Sequence, residues 1–212
     1  MSRLAEISDR DLLLVRLRFL DLLKSFFVDE PDAERMSRWR GIFAALAKER
    51  INRQLDDVIE KLAENLNKKD LQDLKDEYYT LFTDPYSRQL LPLNAAYYLD
   101  GKSFGPSLVD YRELLKEARL IKDRSITDPE DSLPLMLDTL IALIEEEKQG
   151  AGEQTKDLQK QLLEQFLIPT TAKLFTAVNN NSEADFYCSC IEFLKAYLDL
   201  EEGLFESVDG PL

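Results

Sequence analysis

Residues 128–147 read DPEDSLPLMLDTLIALIEEE, and this stretch decides the fold class. From Leu133 onward the apolar residues Leu133, Met136, Leu137, Leu140, Ile141 and Ile144 follow one another at alternating spacings of three and one, the period of a helix and not of a strand. Hardly any polar face remains before Glu145, so the helix belongs at the centre of a bundle. Gly150 and Gly152 terminate it. Upstream, Asp128 can cap a helix whose first residue is Pro129, with Glu130 and Asp131 in the first turn where the dipole favours carboxylates. Alternatively Asp131 is the cap, which leaves Pro134 within the tolerant first turn.

The same period recurs in both directions. Leu12, Val15, Phe19, Leu22, Leu23 and Phe26 form a stripe over about residues 8–28. A second pattern beginning near Pro31 continues through Ile42, Phe43, Leu46 and Ile51. Leu55 to Leu66 and Leu71 to Phe82 give two further amphipathic helices, and Leu108, Tyr111, Leu114 and Leu115 another. Near the end, stripes run through Leu158 to Leu167, from Pro169 to about Val178, and from Phe186 to Tyr197. Between Thr83 and Pro106 the periodicity fails, although Tyr86, Tyr97, Tyr98 and Phe104 stand there among Pro85, Pro92, Gly101 and Gly105. A long connection that keeps its aromatics is an ordered, functional one. The expectation is an all-α protein, one domain over residues 1–212, a bundle of eight or nine helices. Its hinge lies near residues 122–131, between N-terminal and C-terminal helical parts.

Composition narrows the chemistry. The 212 residues carry 41 acidic and 27 basic side chains, a net charge of −14, with 44% hydrophobic residues: enough for a core beneath a dense charged surface. Histidine is absent, which removes Ser-His-Asp and Cys-His nucleophiles and the usual zinc shells. Cys188 and Cys190 stand two apart on a helix, so their thiols diverge and no disulfide joins them. Free thiols suit a reducing cytoplasm. Arg3, Glu6, Asp9, Arg10 and Asp11 precede any apolar run, unlike a secretory signal, and no uncharged apolar stretch approaches the roughly 20 residues that span a bilayer. A strongly acidic chain repels nucleic acid and anionic lipid and suits a basic peptide. The basic run from Arg35 to Arg53 reads as a solvated helix face.

Four segments then carry a resemblance. Tyr78-x-x-Leu81-Phe82 ends a helix; a loop runs from Pro92 through Tyr98-Leu99-Asp100 to Phe104-Gly105; Asp128-Pro129-Glu130-Asp131-Ser132 opens the central helix; Asp185-Phe186-Tyr187 starts the last one. In order and spacing these resemble the TorD/DmsD/NarJ family of redox-enzyme maturation chaperones, helical cytosolic proteins that protect molybdenum-cofactor enzymes before cofactor loading and export. The resemblance implies no catalysis, cofactor or metal. It implies a partner that is the catalytic subunit of a molybdoenzyme or its twin-arginine signal peptide, bound by a monomer or homodimer. Its client-binding positions fall on Tyr78, Leu81, Phe82, Tyr86, Pro92, Gly105, Asp128, Glu130, Asp131 and Ser132. Ser132 stands where the family commonly has histidine, so no imidazole role carries over.

The physical logic of that function is direct. A twin-arginine segment offers two guanidinium groups and an apolar run, and its receptor needs carboxylates beside an apolar groove. Exposed ion pairs contribute about 0–1 kcal/mol each, whereas covering ~300 Å² of apolar area gives a gross ~7.5 kcal/mol. Contact with the apolar run therefore sets affinity, and charge sets register. A NarJ-type protein would instead grip a non-exported terminus. Capping and core packing account for many of the same residues, and an acidic helical scaffold without such a client is the alternative. A carboxylate–metal enzyme is the weaker rival, because no two helical acid motifs face each other at di-metal spacing. The protein purified without added metal should carry well under half an equivalent of zinc or iron and show no hydrolytic or redox turnover. Elemental analysis finding a stoichiometric metal would contradict this.

Overall fold

Four helices begin at a side chain just ahead of them in sequence. In the computed structural model, which describes residues 8–206, α1 (Asp9–Ser25) starts where the Ser8 hydroxyl accepts the Asp11 N–H at 3.2 Å. Asp32 caps α2 (Ala33–Leu46) through the Arg35 N–H at 2.8 Å, and Asn52 caps α3 (Arg53–Lys68) through Leu55 at 2.9 Å. Asp70 and Asp73 form a reciprocal capping box on α4 (Leu71–Tyr78). Then follow α5 (Ala95–Asp100), α6 (Pro106–Glu117), α7 (Leu133–Lys148), α8 (Glu153–Leu162), α9 (Ile168–Asn179) and α10 (Phe186–Glu206).

Helix α4 runs on through a π-helical turn, Tyr79–Thr83, and a second one, Leu163–Leu167, joins α8 to α9. The ten α-helices among the described residues thus form nine continuous rods, in keeping with the eight or nine expected. Pro169 explains the second π turn. It has no N–H to donate, and its ring would clash with the carbonyl four residues back in a regular helix, so the turn before it is widened and not broken. Among the described residues there is no strand, only an isolated antiparallel bridge between Asn94 and Ser132.

Helix α7 is central, as its stripe requires. Leu133, Met136, Leu137, Leu140 and Ile144 are fully buried, and Leu143 is buried where Ile141 is left half-exposed. α1 packs along α7, α3 and α9 pack against α10, and α2 lies on α3, so both ends of the chain close one helical domain. Aromatic rings fill its middle: Phe26 lies 5.0 Å from Trp39, Trp39 5.8 Å from Phe186, and Phe43 5.5 Å from Phe193, centroid to centroid. The Trp39 indole N–H donates to the Ser25 hydroxyl at 2.8 Å, which keeps the one polar atom of that ring paired.

One buried ionic network links four helices. Glu201 on α10 is wholly buried and takes the Arg16 guanidinium of α1 at 2.8–3.1 Å through both Nε and Nη2, and the Tyr197 hydroxyl besides. Arg16 also donates to Gln159 of α8 at 2.8 Å, and Gln159 in turn donates to Glu147 of α7 at 2.8 Å. Breaking one member of a buried pair leaves the other charge uncompensated, at a cost of about 3–5 kcal/mol. Arg16→Met should lower unfolding free energy by about that amount in urea titration, and adding Glu201→Gln should restore part of the loss. Additive losses in the double variant would show that the two side chains act independently.

Candidate functional site

The four segments singled out in the sequence are brought together by hydrogen bonds that reach across long sequence gaps. The Leu91 N–H donates to the Leu81 carbonyl at 2.6 Å, drawing the loop after Tyr86 back onto the end of α4. Glu77, beside Tyr78, accepts the N–H groups of Asp185 and Tyr187 at 2.8 Å each and so caps α10 from outside. Lys69 clamps both acids, at 3.4 Å from Glu77 and 2.9 Å from Asp185. Tyr78, Phe82 and Tyr187 then meet as three edge-to-face rings 5.1–5.7 Å apart.

Asp131 and Ser132 do not act as expected. The cap of α7 is Ser132, not Asp128 or Asp131. Asp131 turns away from α7: its carbonyl accepts the Ala95 N–H at 2.9 Å and its carboxylate the Ala96 N–H at 2.7 Å, so it caps α5. The Leu133 N–H returns to the Leu93 carbonyl at 2.7 Å, completing the bridge. Asp131 is fully buried, and burial pushes its carboxyl above the ordinary value against the opposing pull of the Ala96 N–H. Its second oxygen, the Ser132 hydroxyl and the Asn94 amide nitrogen are buried without a partner among the described residues.

The remaining positions divide by exposure. Leu81 is buried, Phe82 and Pro92 are half-buried, and Tyr86 is 92% exposed. Gly105 is glycine because a Cβ there would stand 2.1 Å from the Asp100 carboxylate, which accepts both the N–H and the hydroxyl of Ser107 and starts α6. Asp128 is exposed, and Glu130 pairs with Arg112 at 2.9 Å, which holds its carboxyl below the ordinary value. Tyr78 donates to the Phe27 carbonyl at 3.3 Å, and its hydroxyl is pushed up to about 12 by burial, with the charges of Asp29, Asp128 and Glu30 adding to the shift and Arg35 opposing it. Three carboxylates, Asp29, Glu30 and Asp128, thus lie around the buried Tyr78 as an acidic mouth, with Asp29 paired to Arg35 at 3.0 Å and Glu30 to Lys75 at 2.7 Å. Asp29 and Glu30 come from the α1–α2 turn and Glu77 from mid-helix, and the sequence reading missed all three. Only the density of acids ahead of Asp32 signalled the first two.

Comparison with known proteins bears on the family and the fold. Residues 48–176 match the family described as the nitrate reductase delta subunit. This chain belongs to the nitrate reductase delta subunit family. No curated protein sequence matches it. A solved structure described as a redox enzyme maturation protein from Archaeoglobus fulgidus has the same fold, with a TM-score of 0.53 at 15% identity, covering 93% of this chain and 98% of that one. Delta-subunit membership supports a role in molybdoenzyme maturation and corresponds to the NarJ side of the resemblance. The matched span of this delta-subunit chain takes in Tyr78 to Ser132 but stops short of Asp185–Tyr187, which Glu77 binds from inside it.

Asp131 offers a test with a definite sign. Its folded-state carboxyl lies above the reference value of 3.8, so its contribution is fully present below the unfolded value and is lost as pH rises through the folded one. Asp131→Asn keeps an oxygen for the Ala96 N–H and removes the buried charge, whereas Asp131→Ala should cost about 1–3 kcal/mol at neutral pH by orphaning that donor. Melting temperatures from pH 4 to 7 should show the parent losing ground to the Asn variant as pH rises; a constant gap would mean that Asp131 does not titrate there.

Proposed function

We propose that this delta-subunit chain is a cytoplasmic chaperone that grips a terminal segment of the catalytic subunit of a nitrate-reductase-type molybdoenzyme and releases it after cofactor loading. The convergence of Tyr78, the Pro92–Gly105 loop, the 128–132 segment and the head of α10 on one acidic, aromatic-rimmed face carries this reading. Asp29, Glu30 and Asp128 give a basic client residue its register, while Tyr86 and the half-buried edges of Phe82 and Pro92 give its apolar residues somewhere to lie. Leu81, Gly105, Asp131 and Ser132 build the walls and do not touch the client. No helix of the described residues is long and apolar enough to cross a membrane, and Cys188 and Cys190 are both free thiols, which suits a reducing compartment.

Exposed ion pairs contribute about 0–1 kcal/mol each, so loss of one carboxylate from the mouth should weaken binding by no more than about fivefold. Calorimetric titration with the client's terminal peptide should therefore show Asp128→Asn binding up to about fivefold more weakly while melting like the parent, and Tyr86→Ala losing more affinity with unchanged stability. Parental affinity in both variants would remove this face from the interface. A pull-down that returns an unrelated assembly in place of a molybdoenzyme subunit would favour the plain scaffold.

A further inference from the structure

Besides the basic run from Arg35 to Arg53, the charge of the molecule reverses at a second place. Between positions 112 and 124, Arg112, Lys116, Arg119, Lys122 and Arg124 outnumber Glu113, Glu117 and Asp123 in a chain whose net charge is −14. In the structure these bases rim a groove formed by the end of α6, the connection that follows it and the outer side of α7. Two adjoining cavities open there: one of about 610 Å³ is lined by Leu115, Leu120 and Ile126 beneath the bases, and one of about 220 Å³ adds Leu135 and Ala142 and is lined by the acids Asp123, Glu130 and Asp138, so the basic rim belongs to the larger one. Ile121 stands on the rim, 92% exposed.

The bases are not all satisfied. Arg112 is bound to Glu130 at 2.9 Å, Lys116 to Glu113 at 3.2 Å, and Lys122 donates to the Asp128 carbonyl. The side chains of Arg119 and Arg124 have no ion-pair or hydrogen-bond partner among the described residues. Arg119 is also held at a φ of +56°, the left-handed residue that closes α6: its N–H meets the Lys116 carbonyl at 3.1 Å and the next N–H the Leu115 carbonyl at 2.9 Å. Glycine is the unstrained choice at such a position. An arginine kept there at a backbone cost points to use of its charge.

We propose that this groove is a docking site for an acidic protein segment bearing leucine-like side chains, separate from the acidic mouth around Tyr78. The occupant follows from complementarity: apolar side chains enter the cavities and flanking carboxylates meet Arg119 and Arg124. A twin-arginine or other basic segment is repelled by the same rim, so one chain carries two faces of opposite preference. An anionic membrane fits less well, because the site is concave and the rest of the molecule is strongly negative.

The experiment uses the full chain and a short fluorescein-labelled peptide of glutamates around a Leu-Leu pair, read by anisotropy, with a lysine-for-glutamate peptide as control. Binding should be seen only for the acidic peptide and should weaken with salt. Arg119→Glu combined with Arg124→Glu should weaken it at least tenfold while leaving affinity for the basic client peptide unchanged, so failure here and failure of the chaperone reading are told apart. Arg119→Gly is the second variant: it should raise the melting temperature by relieving the left-handed strain, yet still weaken the acidic peptide severalfold. Equal binding by the charge-reversed or glycine variants, or no salt-sensitive binding, would overturn the proposal. So would preference for phosphatidylserine vesicles over the peptide, or self-association of the chain abolished by the same substitutions.

Discussion

Glu201 sits where no water reaches it, and the fold is arranged so that it never has to be alone. A bare carboxylate in that position would be far too costly to bury, so the Arg16 guanidinium must arrive from the opposite end of the chain, with the Tyr197 hydroxyl donating to the same carboxylate and Gln159 accepting from Arg16. The first helix is thereby fixed against the last, and α7 and α8 are drawn in through Glu147 and Gln159. Hydrophobic packing supplies most of the stability, but it would tolerate α1 sliding along α7. The geometry of a forked guanidinium on a carboxylate does not.

The same device is repeated at the site. Glu77 and Asp131 are also buried acids, and each spends its charge on the unpaired N–H groups at the start of another helix, Glu77 on α10 and Asp131 on α5. In this way a chain with a large excess of acids places several of them inside, where they join segments distant in sequence, and leaves Asp29, Glu30 and Asp128 outside around Tyr78. Position within the fold, more than residue type, separates the buried structural carboxylates from the exposed ones, of which Asp29 and Glu30 pair with Arg35 and Lys75.

Much of this was legible in the sequence. The stripe from Leu133 to Ile144 gave α7 and its central place, because period and lack of a wet face depend on local residues alone. The four segments of the resemblance do converge, yet how they converge was hidden. Asp128-Pro129-Glu130-Asp131-Ser132 has the composition of a local cap, and nothing in it tells that the Asp131 carboxylate turns to a helix thirty-five positions earlier. Helix α5 itself has six residues, too few to show a period. Glu77 reads as one more acid in Asp76-Glu77-Tyr78, and the bases from Arg112 to Arg124 are masked by the acids between them until the chain is folded.

Capping from a distance has a consequence for the order in which the molecule assembles. α1 to α4 carry their own caps and can form from local sequence, whereas the start of α5 waits for Asp131 and the start of α10 for Glu77. Non-local contacts are slow to form because loop closure must come first. The starts of α5 and α10 are therefore completed only once segments distant in sequence have been brought together.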